Sequence, residues 1–142
     1  MTSNDSLDVK KWIRFAQNDY DSAVVLGERF RPPIETVCYL CQQSAEKILK
    51  AYNIATENKL TKTHVLKDLL NKCEQYTADF SVLMDSCAYL APYVSLGRYH
   101  AIIDPTDYHM KQALNNAGKI LEFTKSKLQE LGFVTEDEPT QN

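Results

Sequence analysis

One short stretch of the chain brings together three side chains that could bind an anion or move a proton. Arg98, Tyr99 and His100 follow Gly97 directly. A guanidinium binds phosphate through a planar set of donors, and an imidazole gains or loses a proton near neutral pH. The stretch is therefore a candidate binding or catalytic segment. It leads into residues 101–105, which are predicted to form a loop.

A second candidate is the basic, hydroxyl-rich turn formed by Lys62, Thr63 and His64. Thr63 is predicted to be the N-cap of a short helix. Two interpretations of His64 remain open. The imidazole could bind a backbone group or pack on a neighbour at the start of the helix, or it could face a ligand beside Lys62.

The longest apolar pattern, residues 34–54, predicts a central helix with neighbours on two sides. Its opposite arc is polar and is expected to meet water or a partner. Six side chains form this arc: Tyr39, Gln42, Gln43, Glu46, Lys47 and Lys50. Glu46 and Lys50 lie four residues apart in the order that stabilises a helix. Gln43, Glu46 and Lys47 are candidate ligand contacts.

The four cysteines, Cys38, Cys41, Cys73 and Cys87, all fall within helical patterns. Cys38 and Cys41 have the spacing of a redox or zinc pair, but no second pair or His-x-x-x-His motif completes a zinc site. We expect all four to be buried as small apolar side chains. No metal or cofactor is predicted.

The remaining periodicity predicts an all-α, up-and-down antiparallel bundle of four long helices and one short one. The first helix is capped by Ser6 or Asp8 and ends near Glu28. The others are predicted at residues 34–54, 63–73, 79–92 and 106–131. Residues 1–133 should form one domain, and the acidic residues 134–142 should be disordered. Asp19, at the edge of the first apolar face, is expected to bind a cation or a tyrosine hydroxyl.

Composition limits the function classes. A chain of 142 residues with 44% hydrophobic residues can form one core without a metal or disulfide, and a net charge of -3 argues against a general polyanion binder. No apolar run reaches the roughly 18 residues of a membrane span. We expect a cytoplasmic protein with no membrane contact.

In combination, several of these residues resemble the HEPN domains, named for higher eukaryotes and prokaryotes and for nucleotide binding. Four matching groups carry the resemblance: Trp12 with Ala16 and Asp19, the run from Cys41 to Lys47, the Lys62–His64 turn, and Tyr93 with Arg98 and Tyr99. The resemblance implies a five-helix bundle that forms homodimers. It also implies a minimal nucleotidyltransferase as partner, in a toxin–antitoxin pair.

Many members of that family are metal-independent ribonucleases with an R-x(4-6)-H motif at the dimer interface. There the His takes a proton from the ribose 2'-OH, and the Arg holds the phosphate. This chain departs from the motif, because Ile103, Asp104 and Pro105 occupy the three positions that the histidine could take after Arg98. His100 comes too early and His109 too late.

The resemblance and this departure together predict a non-catalytic HEPN-domain protein that binds a nucleotide or a nucleotidyltransferase partner. The predicted ligand contacts are Gln43, Glu46, Lys47, Lys62, His64, Arg98, Tyr99 and His100. The alternative is a metal-independent ribonuclease toxin that uses Arg98 with His100, or with His109, at a dimer interface. A purely structural dimer is a third interpretation.

Overall fold

A computed structural model describes residues 7–95 and 104–136, and within these residues the chain is a helical bundle without strands. The α-helices are α1 (Val9–Gly27), α2 (Ile34–Glu57), α3 (Leu66–Tyr76), α4 (Met84–Leu90) and α5 (Asp107–Glu130). The predicted all-α fold is confirmed.

Side-chain caps explain where two helices begin. Asp8 accepts a hydrogen bond from the Lys11 N–H at 3.3 Å, which satisfies a free donor at the start of α1. At α5, Thr106 is the N-cap residue, and its N–H donates to Nδ1 of His109 at 3.0 Å. The predicted starts of both helices are confirmed.

The third helix begins later than predicted. The Thr63 hydroxyl accepts from the Val65 N–H at 3.1 Å, so it caps a turn that precedes the helix. The first helical residue is Leu66. His64 therefore lies in the connection between α2 and α3 and not in the first turn of α3.

The predicted fourth long helix is divided in three. A 3₁₀ helix (Ala78–Leu83) precedes α4, and a second one (Ala91–Val94) follows it. In a 3₁₀ helix, residues three apart lie on the same side, which lets Phe80 and Leu83 enter the core together. Pro92, in the first turn of the second 3₁₀ helix, has no N–H to continue the α-helical pattern.

Helix α2 lies at the centre, against α1, α3 and α5. Ile48 and Leu49 are fully buried between these helices, and the Tyr52 ring lies 4.6 Å from that of Phe80. Close packing of such side chains provides most of the driving force for folding. The prediction that α2 has neighbours on two sides is confirmed.

All four cysteines are buried and free, as predicted. Burial raises the pKa of Cys38 to about 11 and that of Cys87 to about 12, because a thiolate is poorly solvated inside the protein. These thiols stay protonated and pack in the core, where the Cys73 thiol also donates to Oδ1 of Asn53 at 3.4 Å. Among the described residues, no three His, Cys, Asp or Glu side chains converge to hold a metal ion.

Two polar contacts join α1 to α2. The Ser44 hydroxyl donates to the Ala16 carbonyl at 2.8 Å, and the Lys47 ammonium donates to the Asp19 carboxylate at 2.6 Å. The second contact confirms that Asp19 binds a cation from a neighbouring helix. The Lys47 ammonium, which was predicted from the sequence as a ligand contact, is therefore already bound to Asp19.

The chain turns back after α5. Gly132 has a φ of 96°, and the Phe133 N–H donates to the Leu128 carbonyl at 3.0 Å, as in a Schellman cap. Thr135 is buried and its hydroxyl accepts from Gln129 at 2.6 Å. Thr135, in the segment predicted to be disordered, is thus held against the bundle by a polar contact. Residues 137–142 lie outside the described part of the chain. No described helix has the length and apolar character needed to cross a membrane.

Candidate functional site

A buried carboxylate organises the polar side of α2. Glu46 lies in the middle of the helix with 4% of its side chain exposed. Its Oε2 accepts from the Lys50 ammonium at 2.9 Å and contacts Nδ1 of His64 at 2.9 Å. Its Oε1 accepts from the Gln42 amide at 3.3 Å. Glu46 therefore ties its own helix to the connection that carries His64.

Gln42 reinforces this link. Its amide nitrogen makes a second, long hydrogen bond of 3.5 Å to the backbone carbonyl of His64. Its carbonyl oxygen accepts from the Gln43 amide at 2.7 Å. Both the side chain and the backbone of His64 are thus bound to α2, and the imidazole has a defined position.

Helix α1 covers the other side of the network. The Lys50 ammonium lies 5.8 Å from the centroid of the Trp12 ring, within range of a cation–π interaction. Lys50 itself is nearly fully buried. Its charge is balanced by Glu46 on one side and by the electron-rich face of an indole on the other.

Burial alone would raise the pKa of Glu46, since it disfavours the charged form. The hydrogen bonds from His64, Lys50 and Gln42 outweigh that effect and hold the pKa below its ordinary value. Glu46 is therefore ionised at neutral pH and remains an acceptor for the imidazole and the ammonium.

The expectation that the whole polar arc of α2 meets water or a partner was wrong. Gln42, Glu46 and Lys50 are buried, and Gln43 and Lys47 are half-buried. A helical wheel places polar residues outside the core, but here α1 and the connection to α3 cover them and supply their partners. Glu46 positions His64 and has almost no surface with which to contact a ligand itself.

Exposed polar groups remain in the Lys62–His64 turn. The His64 side chain is 74% exposed, and with Nδ1 held by Glu46 its Nε2 has no partner among the described residues. Lys62 is exposed and forms no ion pair within residues 7–95 and 104–136. The turn thus presents an ammonium and an imidazole at the surface. His64 contacts Glu46 directly, and Gln43 is linked to it through Gln42.

Two members of this network, Gln42 and Lys50, were not predicted from the sequence as site residues. A signal was present, because Gln42, Glu46 and Lys50 follow one another at intervals of four and so form one stripe along the helix. Nothing in the sequence indicated that Trp12 covers this stripe.

Arg98, Tyr99 and His100 lie outside the described residues, between Ser95 and Asp104. At the start of α5, the Tyr89 hydroxyl donates to the His109 carbonyl at 3.4 Å. Nδ1 of His109 accepts the Thr106 N–H, so this imidazole has a capping role. His109 was the second histidine considered for ribonuclease chemistry.

This arrangement lies in a part of the chain that matches a known protein family. A family model for the HEPN domain matches residues 9–128, which is most of the chain and includes the Glu46 network and the Lys62–His64 turn. The chain belongs to the HEPN domain family. This confirms the family predicted from the sequence.

Two solved structures share the HEPN bundle of this chain. One is the crystal structure of ST0689, an archaeal HEPN homologue, with a TM-score of 0.67 and 22% identity. The other is the crystal structure of TT1696 from Thermus thermophilus, with a TM-score of 0.64 and 24% identity. Each alignment covers 84% of this chain and 97% of the other. At this identity the likeness concerns the fold alone. A search of curated proteins gave no match.

Proposed function

We propose that this HEPN protein is a non-catalytic domain that binds the phosphate groups of a nucleotide through Lys62 and His64. The observation that carries this proposal is an exposed imidazole held by a buried, ionised carboxylate beside an ammonium that has no ion pair among the described residues. The Lys62 ammonium can donate to an anionic ligand with several acceptor oxygens, and His64 donates from Nε2 in its imidazolium form, since Nδ1–H is already given to Glu46.

The rigidity of His64 adds to the proposal. A donor that is already fixed loses little conformational freedom when a ligand binds. Glu46 and Gln42 hold the ring and the backbone of His64, respectively. In this proposal Gln43 lines the edge of the site, and Arg98, Tyr99 and His100 supply further contacts to the nucleotide.

The proposal extends to partners on the basis of family resemblance. We infer a cytoplasmic homodimer that pairs with a minimal nucleotidyltransferase in a toxin–antitoxin system. Exposed apolar side chains support an interface on or next to α1, since Val25 and Phe30 are 64% and 88% exposed. Co-purification with the product of a neighbouring nucleotidyltransferase gene tests the partner, and light scattering tests the dimer.

The alternative function is a metal-independent ribonuclease that uses Arg98 and His100. One observation favours ribonuclease chemistry with a different base: the His64 imidazole is held by the Glu46 carboxylate, which is the arrangement of a general base, so His64 would replace His100 in this role. Purified protein incubated with structured RNA and a chelator should then cleave it, and Arg98→Ala should stop the cleavage. If neither the native protein nor the Arg98→Ala variant cleaves the RNA, this alternative is refuted.

Calorimetric titration with ATP tests the preferred function. The full-length protein should bind ATP, and Lys62→Gln should weaken binding about tenfold or more, as expected for a lost charge-assisted hydrogen bond. Lys59→Gln is the matched control, since Lys59 is an exposed lysine three residues earlier in the same connection. Absence of binding to ATP and to the other nucleoside triphosphates, or equal loss in both variants, would refute the proposal.

A further inference from the structure

Besides Lys50, a second lysine is buried next to α1. Lys125 of α5 has only 4% of its side chain exposed. Its ammonium donates to the Gln17 side-chain carbonyl at 2.9 Å and to the Glu136 carboxylate at 2.6 Å, and it lies 3.8 Å from Glu122. A buried ammonium requires such partners, because burial without them is costly.

The nearest of these three partners, Glu136, belongs to the segment that turns back after α5. Its side chain is 70% exposed although the ammonium that it contacts is buried. Thr135 holds the same segment through its hydrogen bond from Gln129, whereas Val134 is exposed. The carboxylate thus enters from the solvent side to reach a cation inside the bundle.

This segment borders a cleft of about 270 Å³ along α1. The cleft is lined on the α1 side by Lys10, Ile13, Arg14, Gln17, Asn18 and Asp21, and on the other side by residues 134–136. Lys10 and Arg14 lie one helical turn apart, and neither forms an ion pair with a described carboxylate. The Arg14 guanidinium lies 5.6 Å from the centroid of the Phe15 ring.

We propose that this cleft is a binding site for a phosphate group and that Glu136 occupies its anion position in the present structure. The Lys125 ammonium does not line the cleft itself but binds the carboxylate of Glu136, which does. Two further cations, Lys10 and Arg14, line the cleft and have no anionic partner among the described residues. A phosphate has more acceptor oxygens than a carboxylate, and a guanidinium matches its geometry. Asp21 also lines the cleft and keeps its negative charge while its Oδ1 accepts from Gln17 at 2.9 Å, but the three cations Lys10, Arg14 and Lys125 outnumber it.

The Glu136 segment would then compete with the phosphate for Lys125. An intramolecular competitor is present at a high effective concentration, so the native chain should bind phosphate weakly at this position. Removing the negative charge of Glu136 should release the site. This site is separate from the one proposed at Lys62 and His64.

The test uses the full-length chain with Glu136→Gln and titrates it with inorganic pyrophosphate, followed by the backbone amide resonance of Asn18. Affinity should rise about tenfold over the native protein, the size of one charge-assisted hydrogen bond. Adding Lys125→Gln to that variant should remove the gain. Adding Lys119→Gln, which changes an exposed lysine of the same helix, should preserve it. No gain with Glu136→Gln, or a gain that survives Lys125→Gln, would overturn the proposal.

A parallel titration with a short single-stranded RNA identifies the source of the phosphate. A larger gain for RNA than for pyrophosphate indicates a polynucleotide, and the reverse indicates a small phosphate compound. If thermal melting shows that Glu136→Gln is unfolded, Glu136→Asp replaces it, because the shorter carboxylate reaches Lys125 less well. That variant must still show a gain that depends on Lys125. Lys62→Gln should not change this titration, which separates the outcome from that of the ATP experiment.

Discussion

Lys50 and Lys125 are buried to nearly the same degree, with 6% and 4% of their side chains exposed, but their carboxylate partners differ. The partner of Lys50 is Glu46, four residues earlier in the same helix and itself buried. The partner of Lys125 is Glu136, which belongs to a different segment and is largely exposed. The burial of the partner, more than that of the lysine, decides whether such a pair is a fixed part of the fold or a contact that another anion can replace.

Among the substitutions that neutralise a carboxylate, the one at the buried Glu46 should change stability the most. Glu46→Gln should lower the free energy of unfolding by about 3–5 kcal/mol, because the Lys50 charge is left buried without its counter-charge. Urea denaturation measures this, and Glu35→Gln, an exposed position of the same helix, should change it by less than about 0.5 kcal/mol. A loss at Glu46 as small as that of the control would remove the distinction between the two lysines.

The contribution of Glu46 should also depend on pH. Since its pKa is lower in the folded protein than the ordinary value of 4.5, its contribution to stability is full above about pH 4.5 and is lost as the pH falls through the folded-state pKa. The difference in unfolding free energy between native protein and Glu46→Gln should therefore shrink as the pH falls below about 4.5. A difference that grows as the pH falls below about 4.5 would contradict this sign.

A half-buried pair should give an intermediate effect. The Asp19 and Lys47 side chains are 19% and 26% exposed, and Asp19→Asn should cost about 1–2 kcal/mol. A double-mutant cycle with Lys47→Met isolates the pair. A coupling energy close to zero would show that the 2.6 Å contact contributes no stability.

The smallest effect is expected at Glu136. Water can solvate the vacated side of Lys125, and Gln17 still accepts from it, so Glu136→Gln should lower the free energy of unfolding by at most about 1 kcal/mol. Urea denaturation under the same conditions measures it. A loss matching that of Glu46→Gln would make the contact a fixed part of the fold and would weaken the case for an exchangeable anion.

The sequence was sufficient to predict the bundle because apolar residues recur at helical spacing and because caps such as Asp8 and Thr106 mark helix starts. It was not sufficient at the third and fourth helices. There, Thr63 caps a turn ahead of α3, and the burial of Phe80 and Leu83 favours a 3₁₀ helix that periodicity does not distinguish from an α-helix. Such choices depend on tertiary packing, which the local pattern does not contain.

The residue types of the candidate site could be proposed from the sequence, but their geometry could not. Lys62 and His64 could be chosen from their residue types and their position in a polar turn. The inward orientation of Glu46 could not, because a carboxylate on a helix is normally exposed and its burial depends on Lys50, His64 and Gln42 all reaching it. Polar residues spaced four apart on a central helix therefore indicate a buried network as well as a solvent-facing surface.

The most direct test of the proposed function is to map ATP binding on the full-length protein by backbone amide chemical shifts. The largest changes should occur at Lys62, Thr63 and His64. Asn18 and Lys125 should change little, because Glu136 already binds the Lys125 ammonium. Changes confined to the cleft along α1, or no changes at all, would contradict the assignment of nucleotide binding to the turn that Glu46 and Gln42 hold in place.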